Sequence, residues 1–134
     1  MATCKVEYLG GLRTKCTHMK SGVEIFTDAP IDNNGKGECF SPTDLVAAAY
    51  SSCMITIIGI YCEANNIVFE HCTSEVDKIM TSEPRRIGEL QINLDFQKNQ
   101  WGEDIQKRII RAGEACPVAK TVDQSLTIKF NYQF

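Results

Sequence analysis

Positive charge is not in surplus in this sequence. Fourteen Lys and Arg stand against 17 Asp and Glu in 134 residues, a net charge of −3, and the basic residues are scattered. Holding a phosphate backbone takes clustered Lys and Arg, so nucleic acid is not an expected partner. Imidazole is scarce as well: His18 and His71 are the only histidines, and no two of the seven cysteines form a C-x-x-C pair. A structural zinc site would have to gather ligands from distant loops, so a metal is not expected. The N-terminal MATCKVEYLGG lacks the charged start, apolar stretch and cleavage site of a secretory signal, which makes the cytoplasm the expected location. In that reducing compartment an odd number of irregularly spaced cysteines should be mostly free thiols. Repeats and low-complexity segments are also missing.

What is present suits one soluble domain spanning residues 1–134, with 43% hydrophobic residues to build a core. The first third alternates with the period of a strand. Cys4, Val6 and Tyr8 oppose Lys5 and Glu7, Gly10-Gly11 reads as a hairpin turn, and Leu12 to His18 follows as a second strand. A short third strand, Val23 to Thr27, leads into a long Pro-, Asn- and Gly-containing loop from Asp28 to Glu38. Ser41-Pro42-Thr43-Asp44 then opens a helix: Ser at the N-cap, Pro at the first helical position, and an acid where the helix dipole favours it.

Charge is absent from Leu45 to Cys62, a run of 18 residues. Apolar side chains therefore cover nearly the whole circumference of this helix, which must be buried. The run is as long as a membrane span. Tyr50, Ser51, Ser52, Thr56 and Gly59 dilute its hydrophobicity, however, and the remainder alternates like sheet. A central core helix against a sheet, a partner subunit or both is the expectation, without a membrane. Beyond Asn65-Asn66 the strand period returns, most clearly at Leu90, Ile92, Leu94 and Phe96 after a turn at Ser82-Glu83-Pro84. Gly102 to Cys116 reads as a second helix with Ile105, Ile109, Ala112 and Cys116 on one face. A last strand alternates Leu126, Ile128, Phe130, Tyr132 and Phe134 with polar residues. The pattern as a whole is α+β.

Two cysteines stand out. Cys53 lies mid-helix among Tyr50, Ser51, Ser52 and Thr56, where a free cysteine commonly serves as a small apolar filler. Cys62 and Cys72 have the same reading, with nothing beside them to compete. Cys116 precedes Pro117, which can open a short helix through Val118, Ala119 and Lys120. A thiol at such a helix N-terminus is placed to be reactive.

Ser-Pro-Thr-Asp-Leu-Val-Ala-Ala-Ala-Tyr-Ser-Ser-Cys, residues 41 to 53, resembles the helix-opening motif of the OsmC/Ohr (osmotically inducible, organic hydroperoxide resistance) family, whose first redox cysteine ends that segment. Cys116-Pro117-Val118 resembles its second cysteine motif. The 63-residue separation and the order of strands and helices match over essentially the whole chain. The resemblance implies antiparallel sheets around a long buried central helix, a second helix, and an intertwined homodimer with active sites at the interface. It further implies a cofactor-free thiol peroxidase with hydroperoxide as substrate and an external dithiol as reductant, Cys53 attacking and Cys116 resolving. Position at a helix terminus alone would favour the opposite order, since a mid-helix amide is already bonded and offers a thiolate little.

A buried thiolate needs a cation, which the hydroperoxide resistance members supply as an arginine near an N-terminal Gly-Gly. Arg13 is the match, with a solvated strand arginine as the plain alternative. In those members the arginine is oriented by a glutamate one residue after the helix-opening proline. Here that position is Thr43, and Asp44 projects about 100° further round the helix, leaving Glu38 or Asp44 as acidic candidates. A second function class fits the same fold: a non-catalytic stress-response or apolar-ligand-binding domain with cysteines that do not turn over.

Overall fold

The computed structural model describes residues 1–122 and 124–134. They form two compact units, Met1–Val46 and Ala47–Phe134.

The first unit is a three-stranded antiparallel meander of β1 (Cys4–Gly10), β2 (Arg13–His18) and β3 (Glu24–Asp28), in that order. Gly10 pairs with Arg13, so the two residues at the hairpin tip are Gly11 and Leu12, one step beyond the Gly10-Gly11 expected. Both have φ 61°, the left-handed conformation that a tight hairpin demands and that glycine adopts without steric cost. Alternation sorts the two faces of this sheet. Val6, Cys16 and Ile25 lie in register across it, as do Tyr8, Thr14 and Thr27. The opposite face is charged, with Lys15 bridging Glu7 at 3.2 Å and Glu24 at 3.9 Å. On the apolar face Val6 and Ile25 are exposed, and Tyr8 is 68% accessible.

The long loop after β3 closes on itself. The Asp28 N–H donates to the Phe40 carbonyl (3.1 Å), the Gly37 N–H to that of Ala29 (3.2 Å), and the Gly35 N–H to that of Pro30 (2.9 Å). A single 3-10 turn, Ile31–Asn33, fills it. Helix α1 (Pro42–Ala64) starts where the Ser-Pro-Thr-Asp signal places it. Ser41 Oγ accepts the Asp44 N–H (3.1 Å) while Asp44 Oδ2 accepts the Ser41 N–H (2.9 Å), a reciprocal cap of the helix start.

The second unit contains β4 (Thr73–Thr81), β5 (Arg86–Asp95), α2 (Glu103–Glu114), α3 (Pro117–Thr121) and β6 (Thr127–Gln133). β4 and β5 form an antiparallel hairpin, but β6 lies parallel to β5, so this sheet is mixed where antiparallel pairing was expected. The reason is the connection: α2 and α3 carry the chain back to the end of the sheet where β5 began, and a strand entered that way runs parallel. Alternation of side chains along β6 is the same in either direction, so it could not reveal this.

The core joins one face of α1 (Ala47, Tyr50, Met54, Ile58, Cys62) to Leu90, Ile92 and Leu94 of β5 and Ile109 of α2. Ser51 Oγ donates to Ser74 Oγ of β4 at 2.6 Å. Gly113 lets α2 approach closely, since a Cβ there would stand 3.0 Å from Ile58 Cδ1. Phe69, Phe96, Trp101 and Phe134 cluster at one end, Phe96 stacked on Phe134 and the other ring pairs tilted, with the Trp101 indole N–H donating to the Val68 carbonyl at 3.0 Å. The expectation that α1 is buried all round holds for one face within this chain. Val46 and Ile60 point outward, Ile60 57% accessible. By length and composition α1 is apolar enough to cross a membrane; here its buried face forms part of a protein core.

Candidate functional site

Cys53 and Cys116 both belong to the second unit. Cys53 sits one turn after Tyr50 on α1, half-buried and packed at the edge of the core. Cys116 is the N-cap of α3, with φ −66° and ψ 152°, and Pro117 occupies the first helical position as the sequence suggested. Its sulfur accepts the Ala119 N–H at 3.4 Å. Both thiols are free.

Opposing influences act on the Cys116 sulfur. Burial is the largest and pushes the thiol up, since this residue has no accessible surface. The N–H groups of Ala119 and Val118 pull it down, and Cys53 pushes it up again. The net direction is upward. The Ala119 N–H at the helix terminus is a real stabilising contact, but charging a sulfur that water cannot reach costs more. Close by, burial and the negative potentials of Cys116 and Glu114 raise the Tyr50 hydroxyl. Cys62 and Cys72 are likewise pushed up chiefly by burial, Cys72 to about 11, in keeping with their reading as core thiols.

Arg13 belongs to the first unit, where β2 and β3 place it directly opposite Asp28. Its Nε donates to Asp28 Oδ1 at 2.7 Å and its Nη2 to Oδ2 at 2.8 Å, a two-pronged match of guanidinium to carboxylate. Asp28 is 1% exposed and also accepts the Glu38 N–H at 3.1 Å. Paired chiefly with Arg13, its carboxyl titrates at about 2 despite burial. Of the two acids considered from sequence, Glu38 touches Arg13 through a looser 3.5 Å contact and is largely exposed, while Asp44 is engaged in capping α1. Sequence reasoning missed Asp28. Counting outward from the β2–β3 turn would have found it, because the antiparallel register that pairs Cys16 with Ile25 also pairs Arg13 with Asp28.

Beside the second half of α1 lies an open groove of about 380 Å³, lined by Thr56, Gly59, Ile60, Cys62, Ile67 and Phe69 along with Glu63.

Fold and thiols together define a small α+β protein with a half-exposed cysteine on α1 and a buried one at the start of α3. The sequence profile of OsmC-like proteins matches residues 35–131, and the chain belongs to that family. No curated protein matches it significantly. A crystal structure from Psychrobacter arcticus 273-4, named for osmotic stress induction and detoxification response, is 44% identical over 99% of this chain and 96% of its own, with a TM-score of 0.94. An organic hydroperoxide resistance protein OsmC from Legionella pneumophila is 18% identical, covering 100% of this chain and 98% of its own at a TM-score of 0.76. The organic hydroperoxide resistance protein OhrB of Bacillus subtilis is also 18% identical, covering 98% of each chain at a TM-score of 0.67. These last two likenesses bear on fold. The α+β class and the family expected from sequence are both borne out.

Proposed function

We propose that this chain is a cysteine-dependent peroxidase that reduces organic hydroperoxides to alcohols, with Cys53 attacking and Cys116 resolving. The observation that carries the reading is a half-exposed thiol on α1 and a buried thiol at the start of α3 within one unit, at the two cysteine motifs of a member of the OsmC-like family. The exposed sulfur is the one a peroxide can reach. As thiolate, Cys53 attacks the distal oxygen of R–O–OH; the O–O bond breaks, RO⁻ takes a proton and leaves as ROH, and Cys53 becomes a sulfenic acid. The Cys116 thiol then attacks the Cys53 sulfur. The S–O bond breaks, the hydroxyl takes the Cys116 proton and leaves as water, and a disulfide remains. An external dithiol reduces it by two exchange steps, emerging as its own disulfide. Arg13 is the cation assigned to the Cys53 thiolate, on the strength of its match to the family arginine. No metal or organic cofactor enters any step.

The protein in this reading works in the cytoplasm as a homodimer. Support for a partner subunit comes from apolar side chains open to solvent on both units: Val6, Tyr8 and Ile25 on one, Ile60 on the other. Exposed apolar side chains grouped on one face, as Val6 and Ile25 are on the first sheet, commonly mark an interface.

A second reading, an apolar-ligand-binding domain without turnover, is favoured by the open groove along α1 and by Thr43 in place of the family glutamate. Hydroperoxide consumption separates the two. With dihydrolipoamide or thioredoxin as reductant, the peroxidase consumes cumene hydroperoxide faster than hydrogen peroxide over many turnovers. Absence of consumption with either reductant leaves the binding reading standing.

A further inference from the structure

We infer that Asp28 is the positioning residue for Arg13, an orienting carboxylate supplied by strand β3 in a chain whose helix α1 offers threonine, not glutamate, at position 43. The inference rests on the reading of Arg13 as the cation for the Cys53 thiolate and adds to it the residue that aims that cation.

The geometry is that of a fixed hub. Arg13 and Asp28 are directly paired across an antiparallel ladder, so the backbone itself sets their separation. Two parallel hydrogen bonds of 2.7 and 2.8 Å then fix the plane of the guanidinium, which a single contact cannot do. The carboxylate has no freedom to follow a wandering arginine. It is buried, it accepts the Glu38 N–H besides, and its own N–H is tied to the Phe40 carbonyl at the far end of the loop. Two nitrogens of Arg13 are thus committed to Asp28, and Glu38 reaches only Nη2, at 3.5 Å and from an exposed position. The remaining Nη1 is the nitrogen this arrangement leaves for another acceptor. Asp28 also closes the 28–40 loop, so arginine orientation and loop closure depend on one carboxylate.

Positioning and charge cancellation predict opposite signs, which makes the test decisive. The full-length chain is alkylated with iodoacetamide across a pH series, and modification of Cys53 is followed by peptide-resolved mass spectrometry. Far-UV circular dichroism checks each variant for folding. Arg13→Ala raises the apparent pKa of Cys53 and slows its alkylation at neutral pH roughly 3- to 10-fold. Asp28→Asn does the same to a similar extent, Asp28→Glu, which keeps the charge but displaces the fork, gives a smaller rise, and Asp28→Asn adds nothing in an Arg13→Ala background. A fall in the Cys53 pKa on Asp28→Asn means that Asp28 only neutralises Arg13, and overturns the inference. So does an unchanged pKa, or a shift that adds to that of Arg13→Ala. If Asp28→Asn does not fold, Asp28→Glu carries the comparison: a rise absent in the Arg13→Ala background supports positioning, and no rise overturns it. Should Arg13→Ala itself leave Cys53 unmoved, the assignment of Arg13 as the activating cation fails, an outcome distinct from failure of Asp28 alone.

Discussion

At Cys116 a short helix and a dry surrounding act on the same sulfur, and the dry surrounding wins. Proximity to amide N–H groups was readable from Cys116-Pro117; the absence of accessible surface was not, because it depends on what α1 and the sheet lay over the residue. The consequence is an ordering of reactivity. At neutral pH iodoacetamide should label Cys53 well before Cys116, checked by peptide mass spectrometry after short exposure; prior labelling of Cys116 contradicts the assignment. On the proposed mechanism Cys53→Ser abolishes hydroperoxide consumption. Cys116→Ser permits one turnover and leaves a Cys53 sulfenic acid that dimedone traps, and the reverse pattern would make Cys116 the attacking thiol. Asp28 gives a second prediction at this scale. Its folded-state value of about 2 lies below the ordinary 3.8, so its pairing stabilises the fold above about pH 4 and the contribution is lost as pH falls toward 2. The difference in urea midpoint between wild type and Asp28→Asn should therefore be full at pH 6 and shrink steadily between pH 4 and 2. A difference independent of pH would assign the effect to packing.

Among the elements, α1 was the most legible from sequence and the sheet of the second unit the least. The helix start depends on local chemistry, a serine oxygen meeting an amide three residues on, and Ser41→Ala should cost about 0.5–2 kcal/mol, read as a lower urea midpoint in a folded protein. The loop that precedes it is similarly local in its demands. A Cβ at Gly35 would collide with the Ala29 carbonyl oxygen, backbone that cannot step aside, so Gly35→Ala should open the loop at a cost of roughly 1–3 kcal/mol. Protease nicking between residues 29 and 39, faster in the variant, reports it. The direction of β6 is a different matter. It follows from where α2 and α3 return the chain, a property of the path and not of the strand's own residues.

For the molecule as a whole, the open faces lead to a prediction about assembly. A chain that leaves Tyr8, Val6, Ile25 and Ile60 in water buries them by association, and an obligate dimer should cover well above about 1,000 Å². Sedimentation at micromolar concentration should return twice the 15.0 kDa chain mass, and Ile60→Lys should shift the population toward monomer without loss of helical signal. A wild-type monomer contradicts the dimer.

The sequence by itself determined the elements whose causes lie within a few residues: the strand alternation, the capped start of α1, the short helix at Pro117, and the two cysteine motifs that mark the family. It also carried Arg13 as a candidate, through a short motif near Gly10-Gly11. Only the tertiary structure decided which acid holds that arginine, because Asp28 reaches it across a sheet from 15 positions away. It alone decided that burial outweighs the helix terminus at Cys116, since desolvation is a property of everything packed around an atom. Likewise one face of α1, apolar throughout its circumference, is taken up by the core and the other is left open. Periodicity records how hydrophobic each face is; which neighbour arrives to cover it depends on how the rest of the chain packs.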